Sequence, residues 1–194
     1  MADELNTGRR RFLTAATSVV GAAGVVGVAT PFIGSWSPSA KAKAAGAPVT
    51  VDISKIESGR MIVAEWRGKP VYLVNRTQDQ LSALPQNDDR LKDPDSLEPQ
   101  QPAYAGGVNR SIKPNLLAVV GLCTHLGCAP KYRPEVAPAD LGEKWLGGFF
   151  CPCHGSTYDM SGRVFQGVPA PTNLEVPPYR YVSDAVIIIG EDQE

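Results

Sequence analysis

Two short stretches, Cys123-Thr124-His125-Leu126-Gly127-Cys128 and Cys151-Pro152-Cys153-His154-Gly155-Ser156, contain all four cysteines and both histidines of this 194-residue chain. We call them the first box and the second box. Thiols and imidazoles are common metal donors, and such a concentration rarely arises by chance, so the boxes predict one shared site. Four cysteines are also too few for the disulfide scaffold of a chain this long, which favours the same conclusion.

Each box offers one cysteine and one histidine as donors, at the spacing C-x-H in the first box and C-x-x-H in the second. The four donors are Cys123, His125, Cys151 and His154. Such a set suits a tetrahedral zinc ion, or a 2Fe-2S cluster in which two histidines replace two cysteines on one iron. Cys128 and Cys153 remain, one in each box, and they would approach each other if the four donors converge.

The N-terminal segment carries the second strong signal. The run Gly8-Arg9-Arg10-Arg11-Phe12-Leu13-Thr14 resembles a twin-arginine export signal, which is read by a receptor that passes folded proteins. The apolar stretch 12–33 would extend about 33 Å as a helix, close to the roughly 30 Å of a bilayer's hydrocarbon core. We therefore predict a cytoplasmic N-terminus at 1–11 and a transmembrane anchor at 12–36.

Removal of this segment as a cleaved signal is the alternative, since Ala40-Lys41-Ala42 has the small residues of a cleavage site. Retention is favoured because the apolar run is longer than the usual 7 to 15 residues of a signal peptide. The following stretch, 37–47, lacks large apolar side chains and is predicted to be a flexible linker.

Charge argues against a nucleic-acid partner. The first 43 residues carry five basic and two acidic side chains, so the remainder, with 14 basic and 18 acidic, has a formal net charge of −4. This remainder is weakly acidic and has no basic run, whereas nucleic-acid-binding domains are usually basic.

Residues 48–194 are predicted to form one mainly β domain. Short runs rich in β-branched and aromatic residues indicate antiparallel strands, with Arg67-Gly68-Lys69 as a hairpin turn. The predicted strands are 49–53, 61–66, 70–75, 116–122, 147–150 and 185–190. Thr77-Gln78-Asp79-Gln80 has the form of a capping box and predicts a short helix through Leu84. The polar, proline-rich segment 85–114 is predicted to be a long surface excursion.

The two boxes together closely resemble those of the Rieske iron-sulfur protein of ubiquinol:cytochrome c oxidoreductase, the respiratory cytochrome bc complex, in its bacterial form. The resemblance covers the whole chain, from anchor through linker to β domain. It implies an antiparallel β-sandwich at 48–194 with a small cluster-binding subdomain at about 116–171, and one 2Fe-2S cluster per chain.

By the family pattern, Cys123 and Cys151 bind one iron, whereas His125 and His154 bind the other and present their outer ring nitrogens at the surface. The same pattern implies a disulfide between Cys128 and Cys153. That bond would persist in an oxidising compartment, which agrees with export.

Further residues are assigned roles around the cluster. Ser156 and Tyr158 match family positions whose hydroxyls donate to a bridging sulfide and to a cysteine sulfur; the alternatives are a turn residue and a core aromatic. Gly127 and Gly155 permit tight turns that aim backbone N–H groups at cluster sulfurs. Leu126 is either an apolar shield beside a histidine or a core residue.

The stretch Gly167-Val168-Pro169-Ala170-Pro171 resembles the family's proline-rich loop that covers the cluster. The sequence departs from the family in two places. Twenty-two residues separate Cys128 from Cys151, which is longer than in mitochondrial members, and Val168 is an extra residue in a loop that more often reads Gly-Pro-Ala-Pro. Both departures concern the outer surface of the cluster region.

The resemblance implies an electron-transfer subunit of this oxidoreductase, a translocase. It would take one electron from ubiquinol at cytochrome b and pass it to a c-type haem. His154 is the first choice, and His125 the second, for the residue that contacts the quinol and accepts its proton. The chain would sit in the bacterial inner membrane with its domain in the periplasm. The small Rieske subunit of a periplasmic oxidase such as arsenite oxidase, a soluble Rieske ferredoxin and a structural zinc module are the alternatives.

Overall fold

The computed structural model describes residues 6–193, which form two units that divide between Ala44 and Ala45. Residues 1–5 of the predicted cytoplasmic segment and residue 194 of the predicted domain lie outside the described residues.

Helix α1 (Thr7–Ser35) dominates the first unit. It begins after the N-cap residue Asn6, whose side-chain oxygen accepts the backbone N–H of Arg9 at 3.0 Å. Its 29 residues extend about 43 Å, and the helix is long and apolar enough to cross a membrane. It starts earlier than the predicted anchor, so the paired arginines lie within the helix. It also continues through Pro31, which has no N–H to donate to the preceding turn.

A short helix, α2 (Ala40–Ala45), occupies the middle of the predicted linker. The hydroxyl of Ser39 caps its first turn by accepting the backbone N–H of Ala42 at 3.1 Å. A six-residue helix has little intrinsic stability in water. Helix α2 is therefore consistent with a linker that lengthens when the helix unfolds.

Nine strands, all paired antiparallel, make up three sheets in residues 45–193. The first sheet contains, in spatial order, β1 (Val49–Asp52), β9 (Val186–Ile189) and β8 (Tyr179–Ser183). The second contains β2 (Met61–Trp66), β3 (Lys69–Asn75) and β4 (Leu116–Val120). The third contains β5 (Lys131–Arg133), β6 (Gly148–Phe150) and β7 (Thr157–Asp159). The prediction of an antiparallel β domain is confirmed.

The core lies where the first two sheets meet, and the third sheet adds to it. Every residue of β4 is buried, and the side chains of Val71, Leu73 and Val74 from β3 are fully buried. The β2–β3 hairpin turns at Arg67 and Gly68, which both have positive φ (53° and 70°), as a tight two-residue hairpin turn requires. The predicted hairpin is therefore confirmed.

Strand ends position the two boxes. The first box follows β4, which ends at Val120, and the second box is the loop of the β6–β7 hairpin, in which Phe150 pairs with Thr157. Strand β4, which we predicted to begin the cluster-binding subdomain, pairs with β3 in the second sheet. We call the third sheet together with the two boxes the smaller lobe.

Part of segment 85–114 is buried, so the prediction of a surface excursion is wrong there. Leu91 and Arg110 are 2% and 0% exposed. The segment contains two 3₁₀ helices, Leu84–Arg90 and Ala103–Ala105. It follows helix α3 (Gln78–Ala83), whose capping box is confirmed because Thr77 and Gln80 exchange side-chain to backbone hydrogen bonds.

The long interval between the boxes folds into a compact loop. The Arg133 guanidinium donates to both carboxylate oxygens of Asp140, at 2.8 and 2.9 Å. Trp145 is buried against Leu91 and Phe165, and its indole N–H donates to the carbonyl of Arg133 at 3.2 Å. The interval thus contributes Trp145 and Leu141 to a small apolar cluster with Leu91 and Phe165.

Candidate metal centre

The backbone of the first box closes on itself. The N–H of Cys123 donates to the carbonyl of Cys128 at 2.7 Å, and the N–H of Gly127 donates back to the carbonyl of Cys123 at 2.8 Å. Gly127 has φ of +80°, a left-handed conformation that glycine adopts without a steric penalty.

The second box repeats this arrangement at equivalent positions. Cys151 N–H donates to the carbonyl of Ser156 at 2.8 Å, and Gly155 N–H, at φ +75°, donates to the carbonyl of Cys151 at 3.0 Å. The amides of both glycines therefore close the turns. The N–H groups that reach the cysteine sulfurs come from other residues: His125 for Cys123, and Cys153 and His154 for Cys151.

A disulfide joins the two boxes. Cys128 and Cys153 are bonded, with their Cα atoms 6.6 Å apart, and Cys123 and Cys151 are free, buried thiols. The sulfurs of Cys128, Cys151 and Cys153 also lie within 4.8 Å of one another. This trio is not a metal site, since two of its sulfurs are in the disulfide and only thiolates bind metal well.

The histidines meet between the boxes. The ring centroids of His125 and His154 are 4.8 Å apart, with the ring planes at 84°. His154 is exposed and His125 is partly buried. Within residues 6–193, the buried Nδ1 atom of His125 has no hydrogen-bond partner. An unpaired buried nitrogen is costly, and coordination of a metal would satisfy it.

The pKa values of the two free thiols are shifted in opposite directions. Burial raises the pKa of Cys123, but hydrogen bonds from the Tyr158 hydroxyl and the His125 N–H outweigh burial, so this pKa lies below its ordinary value. Burial dominates for Cys151 and raises its pKa. Two thiols and two imidazoles, with N–H groups aimed at the sulfurs, fit a cluster held by two cysteines and two histidines.

Tyr158 is the buried neighbour of Cys123. Its hydroxyl oxygen lies 3.2 Å from the Cys123 sulfur and accepts the Thr124 N–H at 3.1 Å. The Thr124 hydroxyl donates to the carbonyl of Thr172 at 2.7 Å and lies 3.2 Å from the Tyr158 oxygen. Burial, and then the contact with Cys123, raise the pKa of Tyr158, so its hydroxyl keeps its proton and can donate. Sequence reasoning did not single out Thr124.

Ser156 links the second box to the proline-rich loop. Its fully buried hydroxyl oxygen accepts the N–H of Ala170 at 3.0 Å. In the loop, Ala170 is buried, Val168 is partly buried, and the exposed residues are Gly167, Pro169 and Pro171. Lys92, which sequence reasoning also missed, contacts this loop. No local sequence rule connects positions that lie 76 residues apart.

Leu126 lies at the tip of the first box, where its side chain is 71% exposed. The core-residue alternative for Leu126 is therefore wrong. This exposed leucine, next in the chain to the partly buried His125, places an apolar side chain at the tip of the first box.

Comparisons with known proteins extend these observations. The family model "Rieske [2Fe-2S] domain" matches residues 96–179, and the model "Ubiquitinol-cytochrome C reductase Fe-S subunit TAT signal" matches residues 1–39. The chain is 56% identical over 192 residues to the ubiquinol-cytochrome c reductase iron-sulfur subunit of Allochromatium vinosum, covering 99% of this chain and 93% of that protein. It is 44% identical to the same subunit of Blastochloris viridis, covering 97% and 96%.

Among solved structures, a chain of a hyperthermophilic respiratory Complex III matches with a TM-score of 0.48 and 26% identity, covering 89% of this chain and 98% of that one. The family matches answer two open questions. A Rieske domain carries one 2Fe-2S cluster, which decides against the zinc module. The relatives are subunits of an oxidoreductase complex, which decides against a soluble ferredoxin and a periplasmic oxidase subunit. This electron-transfer protein therefore belongs to the family of ubiquinol-cytochrome c reductase iron-sulfur subunits, with a Rieske domain that follows a candidate membrane-anchoring helix.

Proposed function

We propose that this chain oxidises ubiquinol within a cytochrome bc complex and passes the electron to a c-type haem, and that Cys123, Cys151, His125 and His154 hold its cluster. The observation that carries the proposal is the convergence of two free thiols and two imidazoles from two boxes tied by one disulfide. When bound, the cluster supplies a one-electron acceptor whose potential, with histidine ligands, falls in a range of about −150 to +300 mV.

The residues around the donors have separate roles in this proposal. The N–H groups of His125, Cys153 and His154 reach the two cysteine sulfurs and stabilise negative charge there. The hydroxyls of Tyr158 and Ser156 do the same from the buried side. These donors favour the reduced form because it carries one more negative charge.

His154 is the proposed contact for the quinol. It is exposed, whereas His125 is partly buried. If His154 binds the cluster through one ring nitrogen, its outer nitrogen can accept a hydrogen bond from the quinol hydroxyl, and then its proton, in the form in which that outer nitrogen has lost its own proton. Leu126, at the exposed tip, gives the quinone ring and the cytochrome b surface an apolar surface to contact.

The membrane arrangement is part of the same proposal. Helix α1, retained after export, would anchor the chain in the bacterial inner membrane, with the arginines on the cytoplasmic side and the Rieske domain in the periplasm. The twin-arginine match supports it, because that route transports folded proteins. The complex of cytochrome b, a c-type cytochrome and this subunit would then act as a translocase.

The test uses the full-length chain purified from membranes in mild detergent. After reduction with dithionite we expect the electron paramagnetic resonance spectrum of a Rieske cluster and co-purification of b- and c-type haem. Cys123→Ser and His125→Gln should each abolish the spectrum and the bound iron, whereas Met160→Leu, a buried control, should retain both. Retention of the full signal by either ligand variant would refute the ligand assignment, and purification without haem would refute the partner assignment.

A further inference from the structure

One ammonium group contacts the proline-rich loop at two points. The Nζ atom of Lys92 donates to two loop carbonyls, that of Val168 at 2.9 Å and that of Ala170 at 2.6 Å. Because the two acceptors are two residues apart, a single side chain fixes the spacing of the loop at its centre.

The loop's composition explains why it needs an external donor. Pro169 and Pro171 have no N–H groups, so the loop can satisfy few of its own carbonyls. The carbonyls that accept from Lys92 are those just before the two prolines. One belongs to Val168, the residue by which this loop departs from the Gly-Pro-Ala-Pro pattern.

Backbone hydrogen bonds hold the segment around Lys92 in place independently of the lysine side chain. Lys92 N–H donates to the carbonyl of Val164 at 3.0 Å, and Gln166 N–H donates to the carbonyl of Arg90 at 2.8 Å. The side-chain amide of Gln166 also donates to the carbonyl of Leu91 at 2.9 Å. The segment that carries Lys92 is thus paired with the segment that enters the loop.

The peptide groups of Ala170 connect Lys92 to the metal centre. Ala170 accepts from Lys92 through its carbonyl and donates through its N–H to the Ser156 hydroxyl oxygen at 3.0 Å. A hydroxyl that accepts at its oxygen still has its own hydrogen to donate. Ser156 is itself tied to the ligand loop, because its carbonyl accepts the N–H of Cys151 at 2.8 Å and its side chain is fully buried.

We propose that Lys92 is a positioning residue for electron transfer. By holding the Ala170 peptide in place, it keeps the Ser156 hydroxyl in position to donate its hydrogen within the metal centre, and so it raises the reduction potential of the centre. The inference rests on the proposed ligand set, and it adds that the extra residue Val168 is accommodated through the same side chain.

The experiment compares three variants of the full-length protein in its complex by redox titration monitored by electron paramagnetic resonance. Lys92→Met should decrease the equilibrium constant for reduction several-fold, where tenfold corresponds to about 59 mV for one electron. Lys92→Arg, which keeps the charge and the donors, should restore most of it. Lys131→Met is the matched control, since it removes an exposed cation from β5, beside the strand that leads into the second box.

Double substitution tests the route of the effect. In a Ser156→Ala background, Lys92→Met should have little further effect on the potential, because the hydroxyl that it positions is gone. The proposal would be overturned in favour of a general charge effect by either of two results. Lys92→Met could shift the potential as much in the Ser156→Ala background as in the wild type, or Lys131→Met could shift it as much as Lys92→Met does. An unshifted Lys92→Met potential would overturn it as well.

Two precautions keep these outcomes distinct. If Lys92→Met does not retain the cluster, Lys92→Gln, which can still donate one hydrogen bond, takes its place and should shift the potential less. If the wild-type chain itself lacks a Rieske spectrum, the ligand assignment is refuted. A normal wild-type spectrum with unshifted variants refutes only the role of Lys92.

Discussion

The hydroxyl oxygen of Tyr158 lies 3.2 Å from the sulfur of Cys123, and both residues are buried. We expect Tyr158→Phe to lower the midpoint potential because the reduced centre loses a donor. Ser156→Ala should do the same. If each hydrogen bond favours the reduced form by about 1 kcal/mol, each variant shifts the potential by about 40 to 50 mV. Protein-film voltammetry measures both shifts.

Tyr132→Phe is a matched control for this prediction. The Tyr132 hydroxyl donates to the carbonyl of Gly59 at 2.9 Å, so its removal costs a hydrogen bond elsewhere in the domain. Its potential should equal that of the wild type. Equal potentials for Tyr158→Phe and Tyr132→Phe would contradict the role given to Tyr158.

The disulfide between Cys128 and Cys153 closes a loop with a sequence separation of 25 residues. In the chain-entropy model this is worth roughly 3 to 4 kcal/mol. The double variant Cys128→Ser/Cys153→Ser should lose about that much unfolding free energy in guanidinium titrations and should release iron at a lower temperature. Dithiothreitol should destabilise the wild type but not the double variant; destabilisation of both to the same extent would show that the reductant acts elsewhere.

The glycines of the two boxes and Gly148 in β6 differ in the space available for a side chain. A Cβ atom at Gly155 would meet no atom within 4 Å, so Gly155→Ala should cost only the strain of φ +75°, about 1 to 2 kcal/mol. That corresponds to a decrease of roughly 2 to 8 °C in Tm. Gly148→Ala should abolish folding, because its Cβ would overlap the carbonyl oxygen of Tyr158. Differential scanning calorimetry with iron analysis tests both; a folded Gly148→Ala protein would contradict this prediction.

A buried ion pair stabilises the turn after β7. The fully buried guanidinium of Arg163 contacts the fully buried carboxylate of Asp159 at 2.8 Å, and its Nη1 contacts Asp88 at 2.8 Å. Arg163→Met leaves the Asp159 charge unpaired and should cost about 3 to 5 kcal/mol. The matched control, Arg133→Met, removes a more exposed pair with Asp140 and should cost less than about 1 kcal/mol. Equal losses in urea unfolding would contradict this.

The sequence predicted the parts of the fold that follow from local chemistry. The hairpin at Arg67 and the capping box at Thr77 were predictable because each depends on a few adjacent residues. Strands β5, β7 and β8 were missed. β5 and β7 have three residues each, too few to show an alternating pattern, and β8 follows directly on two prolines, which indicate a loop. The burial of Arg110 was missed because a charged residue is buried only when distant segments supply its partners, as the carbonyl of Leu174 does here.

The candidate site follows the same rule. The donors in the boxes were visible because their spacing is local, whereas Thr124 and Lys92 act through contacts with the carbonyls of residues 48 and 76 to 78 positions away. Their residue types carry no signal of their own. Only the folded chain brings Lys92 to the proline-rich loop and Thr124 to Thr172, the residue that follows it.

The linker gives a prediction about turnover. Removal of three residues from 37–47 should leave the spectrum and the potential of the centre unchanged, but it should decrease quinol-dependent cytochrome c reduction at least tenfold, because the domain could no longer reach both redox partners. A glycine and serine replacement of equal length is the control and should retain activity. Normal turnover after the deletion would refute a moving domain.

The two boxes also constrain the order of biosynthesis. Each supplies half of the donors, and the second box is the loop of a hairpin that exists only after β6 and β7 have paired. A nascent chain that has made only the first box holds two cysteines and one histidine, of which Cys123 and His125 are half of the proposed ligand set. We therefore expect metal loading to require both boxes and to follow the pairing of β6 and β7, so that a loaded centre reports a domain that has already folded.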